Sequence, residues 1–303
     1  MIFNREIIIG SRSSTLARKQ TEIFVSKLKK VGVNKVKTLL IKSKGDNVGY
    51  TEFKRLGGKG LFTKEIDDLV ISKKIDFAVH SAKDIPAYID NRLEIGAYLK
   101  REDVRDVLIT KDLDINNIHE LPQNSTLGTS SPRRVAYIKM LKPDIKVVSL
   151  RGNITSRIAK VEKGKVFSII IAKAGINRLK IKNLNINIRP ISLSKILPSP
   201  GQGAIAIVYK KNNLLNKKLL KQIDNLDTRI ALSAERALIK KINGDCFTPL
   251  AALAKIKRNQ INIKAKLFSN SGDKYVDEEI IGPVNSANKV GKQCAINLLK
   301  YLC

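Results

Sequence analysis

A short β-branched run, a loop rich in glycine, serine and arginine, and an amphipathic helix follow one another twice in this chain. That repetition limits the possible folds more than any other feature. In the first copy, residues 7–9 read as a strand and lead into Gly10-Ser11-Arg12-Ser13-Ser14. Residues 15–30 then place Leu16, Ile23, Phe24 and Leu28 on one helical face. A strand over 36–41, a helix over 61–71 and a short buried strand over 77–79 continue the pattern. Such alternation predicts doubly wound α/β sheets.

The second copy begins at Gly128-Thr129-Ser130-Ser131-Pro132-Arg133-Arg134, where Ser131 is placed to cap a helix and Pro132 to open it. The helix and strand over 154–173 then match the order of 61–80. Two related lobes facing one another would set their loops across a shared cleft. Leu197-Pro198-Ser199-Pro200-Gly201-Gln202-Gly203 reads as a stiff crossing between lobes, followed by a lysine- and asparagine-rich helix. From about residue 224 a separate unit is expected. It comprises a helix over 228–242 stopped by Asn243-Gly244, strands over 251–257 and 261–268, and a last helix over 287–302.

Composition narrows the function. The 303 residues suffice for two or three cores, and the 43% hydrophobic and 28% charged content is that of a folded chain. No apolar run approaches the roughly 20 residues of a membrane span, and the apolar run after Arg5 is too short for the core of a secretory signal. A cytoplasmic protein with no membrane partner is expected. Three cysteines without a C-x-x-C pair, and two isolated histidines, argue against a disulfide framework or a metal centre. The 57 basic residues against 27 acidic give a net charge of +30, which favours an anionic partner. The lysines are spread along the chain, however, in a sequence whose abundance of Ile, Asn and Lys is also what an AT-rich genome favours. Aromatic content of 5% with no tryptophan offers no ladder for stacking nucleic-acid bases.

The arginines are more informative, because several stand in loops where a strand feeds a helix. In open α/β sheets, ligands lie beyond the carboxyl ends of the strands. Arg12-Ser13-Ser14 and the segment from Thr129 to Arg134 occupy such places, so backbone N–H groups and guanidinium forks converge on an anion site. Gly57-Gly58-Lys59-Gly60 and Ser149-Leu150-Arg151-Gly152-Asn153, with Arg157, add further donors. Taken singly, each also reads as a capped helix with a solvated cation. Together they suit a ligand with many carboxylates better than a phosphate, since neither the Walker nor the Rossmann glycine spacing is present.

Two further residues carry chemistry. Asp84, in Val79-His80-Ser81-Ala82-Lys83-Asp84, reads either as half of a local ion pair at a strand end or as a catalytic carboxylate among cations. His80 reads as a packed strand-end residue. Cys246 lies just past a helix C-terminus beside Asp245, where neither neighbour favours a thiolate, so local physics makes it a buried thiol.

Ten segments in register give these residues a common context. They are Gly-Ser-Arg-Ser-Ser at 10–14, Lys-Gly-Asp at 44–46, Gly-Gly-Lys-Gly-Leu-Phe-Thr-Lys-Glu at 57–65 and Ala-Val-His-Ser-Ala-Lys-Asp-Ile-Pro at 78–86. Arg-Glu-Asp-Val-Arg-Asp at 101–106, Gly-Thr-Ser-Ser-Pro-Arg-Arg at 128–134 and Ser-Leu-Arg-Gly-Asn at 149–153 follow, then Pro-Gly-Gln-Gly-Ala at 200–204, Ala-Glu-Arg at 234–236 and Gly-Asp-Cys at 244–246. In this order, over residues 5–300, the chain resembles the porphobilinogen deaminase (hydroxymethylbilane synthase) family.

The resemblance implies two doubly wound lobes of periplasmic-binding-protein type and a small α+β C-terminal domain. The implied division is residues 1–101 with 204–221, then 105–197, then 224–303. It implies a monomeric transferase of tetrapyrrole biosynthesis that joins four porphobilinogen molecules head to tail, with loss of ammonia, on a dipyrromethane cofactor. That cofactor would be held by a thioether to Cys246. Asp84 would be the catalytic aspartate, stabilising the cationic methylene-pyrrolenine that forms as ammonia leaves. Lys83, Thr129, Ser131, Arg133 and Arg134 would join Asp84 and Cys246 in holding the cofactor, and Arg12, Ser14, Lys59, Arg151, Arg157, Arg178 and Gln202 would bind substrate. The chain departs from the family pattern with Lys44 and Arg55, which keep their charge, with Thr15 and Pro132, and with Asp245 in place of the usual glycine. Two readings compete: a non-enzymatic anion receptor of periplasmic-binding type, which the two-lobe repeat also fits, and a nucleic-acid-binding protein.

Overall fold

The computed structural model describes residues 5–42, 60–182, 185–269 and 271–300. Lys44, Lys59 and Arg55, with the motifs over 44–46 and 57–59, lie outside the described residues. In the first lobe, strands β1 (Ile7–Arg12), β2 (Val36–Ile41), β3 (Phe77–Ser81), β4 (Leu93–Tyr98) and β10 (Ile205–Lys210) form one sheet in the order β2-β1-β3-β10-β4. Helices α1 (Thr15–Lys30), α2 (Lys64–Ile71) and α6 (Leu214–Lys221) pack on it.

The second lobe repeats the plan. Its strands β5 (Asp106–Thr110), β6 (Thr126–Gly128), β7 (Lys146–Val148), β8 (Ser168–Ala172) and β9 (Asn187–Pro190) run in the order β7-β6-β8-β5-β9. They carry helices α3 (Pro132–Leu141), α4 (Ile154–Glu162) and α5 (Lys173–Leu179). The expected doubly wound lobes are present, but each sheet is mixed. Four strands run one way, and a strand arriving from the other lobe is inserted antiparallel between two of them: β10 between β3 and β4, and β5 between β8 and β9. The chain therefore crosses between lobes twice, after β4 and after β9.

The third unit is an antiparallel sheet of β11 (Leu250–Lys257), β12 (Gln260–Phe268) and β13 (Tyr275–Pro283), packed by α7 (Leu226–Ile242) and α8 (Ala287–Lys300). Helix α7 starts earlier than its apolar pattern suggests, because Asn225 accepts a hydrogen bond from the Thr228 N–H and so sets the cap. It stops where expected, with Asn243 in the left-handed region at φ 55°. Strand β13 escapes the sequence reading because its residues alternate between exposed and half-buried, with Asp277, Glu278 and Glu279 in mid-strand. Helix α2 begins at Lys64 rather than 61, since residues 60–63 form a turn.

Local sequence explains the packing. Helix α1 buries Ala17, Gln20, Thr21, Phe24 and Leu28, and Phe24 meets Phe77 of β3 edge to face at 5.6 Å. Gly10 and Gly128, at matching places in the two lobes, have no room for a side chain: a Cβ would lie 2.4 Å from Ile75 and 2.7 Å from Leu150 respectively. Among the described residues, no helix is long and apolar enough to cross a membrane.

The three units meet at Glu235 on α7, which has no solvent exposure. Its carboxylate accepts two hydrogen bonds from Arg101 on the first crossing, at 2.7 and 3.1 Å. It also accepts from the Gly201 N–H on the second crossing at 2.7 Å and from the Ala254 N–H of β11 at 2.8 Å. Removing one partner of such a buried pair typically costs about 3–5 kcal/mol. Glu235→Gln keeps the shape but discards the charge, and denaturant unfolding should show a loss of about 3 kcal/mol; a variant as stable as the parent would show that the hub is not needed.

Candidate active site

The ends of β1 and β3 lie side by side in the first sheet, so the residues that follow them converge. Arg12 closes β1, and its guanidinium stands 3.9 Å from the Asp84 carboxylate and 4.4 Å from the centre of the Phe62 ring. Ser14 caps α1, its hydroxyl accepting from the Ala17 N–H at 3.3 Å. A 3₁₀ turn over Ala82–Asp84 directly follows β3 and carries Lys83 and Asp84.

The second lobe presents the matching ends of β6 and β7. Thr129 follows β6, is buried, and accepts a hydrogen bond from the Ser131 N–H at 3.2 Å. Ser131 takes the capping position of α3 with Pro132 in the first turn, but its hydroxyl makes no capping bond. Arg151 lies in the loop after β7. Arg157 on α4 donates to the Gly152 carbonyl at 2.8 Å. Burial brings its guanidinium down to about 10, and the like charges of Arg134 and Arg151 push in the same direction.

Arg133 and Arg134 are buried and share one carboxylate, Asp106, at the start of β5. Arg133 also donates to the Leu197 carbonyl at 2.7 Å and Arg134 to the Ile170 carbonyl at 3.0 Å. Gln202, on the second crossing, donates to the same Asp106 at 2.9 Å and to the Val104 carbonyl at 2.7 Å. Burial opposes the charge on Asp106, but the two guanidiniums hold the carboxyl well below the usual carboxylate range. With one carboxylate for two guanidiniums, the cluster keeps a net positive charge. The Arg133 Nε and the Gln202 carbonyl oxygen are buried without hydrogen-bond partners among the described residues.

A cavity of about 380 Å³ lies beside this cluster, between α2, the chain after Asp84, the start of α3 and the loop after α7. Of the residues singled out from the sequence, Lys83, Ser131, Arg133 and Cys246 line it. Arg12, Ser14, Asp84, Thr129, Arg134, Arg151 and Arg157 are not in its wall. The fields of Asp84 and Arg134 nonetheless act on Lys83, and that of Asp84 on Cys246. Arg178 stands apart: buried on α5, it donates to the Gly203 carbonyl at 2.5 Å and so holds the second crossing.

Lys83 and Cys246 both line the cavity and are exposed within it, so the thiol is not the buried group its local sequence suggests. The surrounding walls still thin the water around both. That loss of water brings the Lys83 ammonium down to about 8, with Asp84 working the other way. It pushes the Cys246 thiol up to about 12, helped by Asp84 and Asp245. Asp245 builds the turn that presents the sulfur. Its Oδ1 accepts from the Phe247 N–H at 2.8 Å, the Thr248 N–H at 3.0 Å and the Thr248 hydroxyl at 3.1 Å.

Sequence reasoning assigned no role to Asp106, Phe62, Asp67 or Glu235. Asp106 had one usable signal, an acid opening the apolar run Val107-Leu108-Ile109. An acid there must find buried cations.

Comparison with known proteins adds the following. A family model described as porphobilinogen deaminase, dipyromethane cofactor binding domain, matches residues 7–218. A second, porphobilinogen deaminase, C-terminal domain, matches residues 230–300. The chain is 36% identical to porphobilinogen deaminase of Clostridium novyi (strain NT) over 299 residues, 98% of this chain and 99% of that one. It is 41% identical to porphobilinogen deaminase of Brevibacillus brevis (strain 47) over 266 residues, 87% and 85% of the two chains. Among solved structures it is similar to the periplasmic VFT2 domain of Bordetella pertussis BvgS, at 12% identity and a TM-score of 0.46, covering 76% of this chain and 92% of that one.

The raised Cys246 thiol has a direct consequence. In protein carrying no adduct at this residue, iodoacetamide at pH 8 should alkylate Cys246 at least about 100-fold more slowly than free cysteine, with the rate still climbing above pH 10. Peptide mass mapping reads this out, and a rate that levels off near pH 8 would contradict the raised thiol.

Proposed function

Since the chain belongs to the porphobilinogen deaminase family, it is a transferase of tetrapyrrole biosynthesis acting on porphobilinogen with a dipyrromethane cofactor, and we propose that the cavity beside Cys246 is where that cofactor is held. The observation that carries this reading is the joint lining of one cavity by Cys246, Lys83 and Arg133. The donor set suits the group. A dipyrromethane bears several carboxylates, and the Arg133–Arg134–Asp106 cluster beside the cavity has positive charge to spare and an Arg133 Nε without a partner. When bound, the cofactor supplies the pyrrole carbon onto which new units are built.

The protein's own residues divide the work. Cys246 provides the covalent anchor; its thiol need not be acidic, because sulfur attacking an electrophilic methylene needs only access. Lys83, Thr129, Ser131, Arg133 and Arg134 hold the cofactor's polar groups. Asp84 is the catalytic carboxylate, placed to stabilise the positive charge that develops on the substrate as ammonia departs. Arg12, Ser14, Arg151 and Arg157 receive acetate and propionate arms, each charge-assisted hydrogen bond contributing about 1.5–3 kcal/mol. Lys59, Gln202 and Arg178 complete the set. For the last two, their bonds to Asp106 and to Gly203 support a role at the second crossing as well as toward substrate. The domain division is 1–101 with 204–221, 105–197 and 224–303, supported by β10 joining the first sheet and β5 opening the second. A monomer working in the cytoplasm, without nucleic-acid partners, completes the reading.

Intact mass spectrometry tests the anchor. Active protein should carry an excess equal to two porphobilinogen units less their ammonia, absent in Cys246→Ser; an unmodified mass in active protein would sink the assignment. Asp84→Ala should fold and load the cofactor yet turn over at least about 100-fold more slowly, the range expected for a lost electrostatic stabiliser. Ordinary turnover would remove Asp84 from its role.

A further inference from the structure

Glu235 is not the only residue of α7 that reaches the lobes. The Arg236 guanidinium, next in sequence, donates to the Pro86 carbonyl at 3.0 Å and to the Ala87 carbonyl at 3.3 Å. One helical turn on, the Lys240 carbonyl accepts from the Tyr88 hydroxyl at 3.1 Å. The stretch held by these bonds begins directly after Asp84, has no regular secondary structure, and lines the cavity from Ile85 to Asp90. Among the described residues, no other hydrogen bond holds residues 86–89.

The turn before that stretch is held from α7 as well. Glu235 accepts from the Gly201 N–H. Gly201 lies so close against the turn over Ala82–Asp84 that a Cβ on it would stand 2.8 Å from the Lys83 backbone nitrogen. Two neighbouring residues of one helix thus fix the chain on either side of Asp84, Glu235 through the second crossing and Arg236 directly. Cys246 follows in the loop after the same helix. Arg236 itself is not in the cavity wall, so it acts on the site through the backbone it holds.

A carboxylate that meets a charge developing on a ligand anchored elsewhere must keep a fixed separation from that anchor. We propose that Arg236 is a positioning residue that sets the placement of Asp84 relative to Cys246, with helix α7 as the common frame for both. The inference rests on the function proposed above.

Arg236→Met keeps the aliphatic stem and removes the donors. The variant should still unfold cooperatively and carry the covalent mass excess. Its kcat should fall at least about 10-fold, with KM changed less than about 3-fold. Arg236→Lys should restore part of the loss. In an Asp84→Ala background, adding Arg236→Met should cost less than about 2-fold, because a residue that acts only through Asp84 has nothing left to place. A kcat equal to the parent's, a loss confined to KM, or a full further loss on top of Asp84→Ala would overturn the proposal. Failure of both Arg236 variants to fold or to load would make Arg236 a structural residue and overturn it as well. Normal turnover by Asp84→Ala would remove the functional reading and this inference together, whereas a slow Asp84→Ala beside a normal Arg236→Met removes this inference alone.

Discussion

A carboxylate with no access to water must be met by donors that the fold brings to it, and at Glu235 they come from three stretches of chain. Arg101 belongs to one crossing between lobes, Gly201 to the other, and Ala254 to the C-terminal sheet. None of these segments is close to the others in sequence. Their meeting fixes how the two lobes hang from the third unit. An apolar contact of the same size could slide; four donors on two oxygens cannot without leaving one unpaired in a dry place. The position of the loop bearing Cys246, directly after the same helix, follows from this arrangement.

Asp106 applies the same rule to the reactive centre. It draws Arg133, Arg134 and Gln202 into one cluster, tying the start of a helix in the second lobe to the chain that returns to the first. One acid for two guanidiniums leaves charge available for an anionic ligand while keeping the side chains from wandering. Of the many cations that give the chain its net +30, few are held in this way. Arg101, Arg133 and Arg134 are, and the lysines are spread along the chain, which agrees with reading much of the lysine excess as compositional drift.

The lobes, their repeated order and the C-terminal unit were legible in the sequence because hydrophobic period and capping residues are local. The arriving strands β5 and β10 were harder to place: their antiparallel insertion depends on chain that has already folded elsewhere. Strand β13 was hidden by its charges, which an edge strand can carry in mid-strand. At the site, ordered motifs brought out the arginines, Lys83, Asp84 and Cys246. The partners that orient them were not legible. Whether an acid such as Asp106 or Asp67 faces solvent, a cation or a histidine is a fact of three dimensions, as the pairing of Asp67 with His80, 13 positions on, illustrates.

The turn at Asp245 has a consequence for how the sulfur is delivered. Where a glycine would leave this stretch free to sample many shapes, the Asp245 side chain ties down two backbone N–H groups and one hydroxyl within three residues. Less rotational freedom is therefore left to lose when a bond to the sulfur forms. On the proposed reading, in which Cys246 is the anchor, its neighbour ties down the loop after helix α7, and a load attached there travels with the C-terminal unit. Any shift of that unit against the lobes would move the load through the cleft by the same distance.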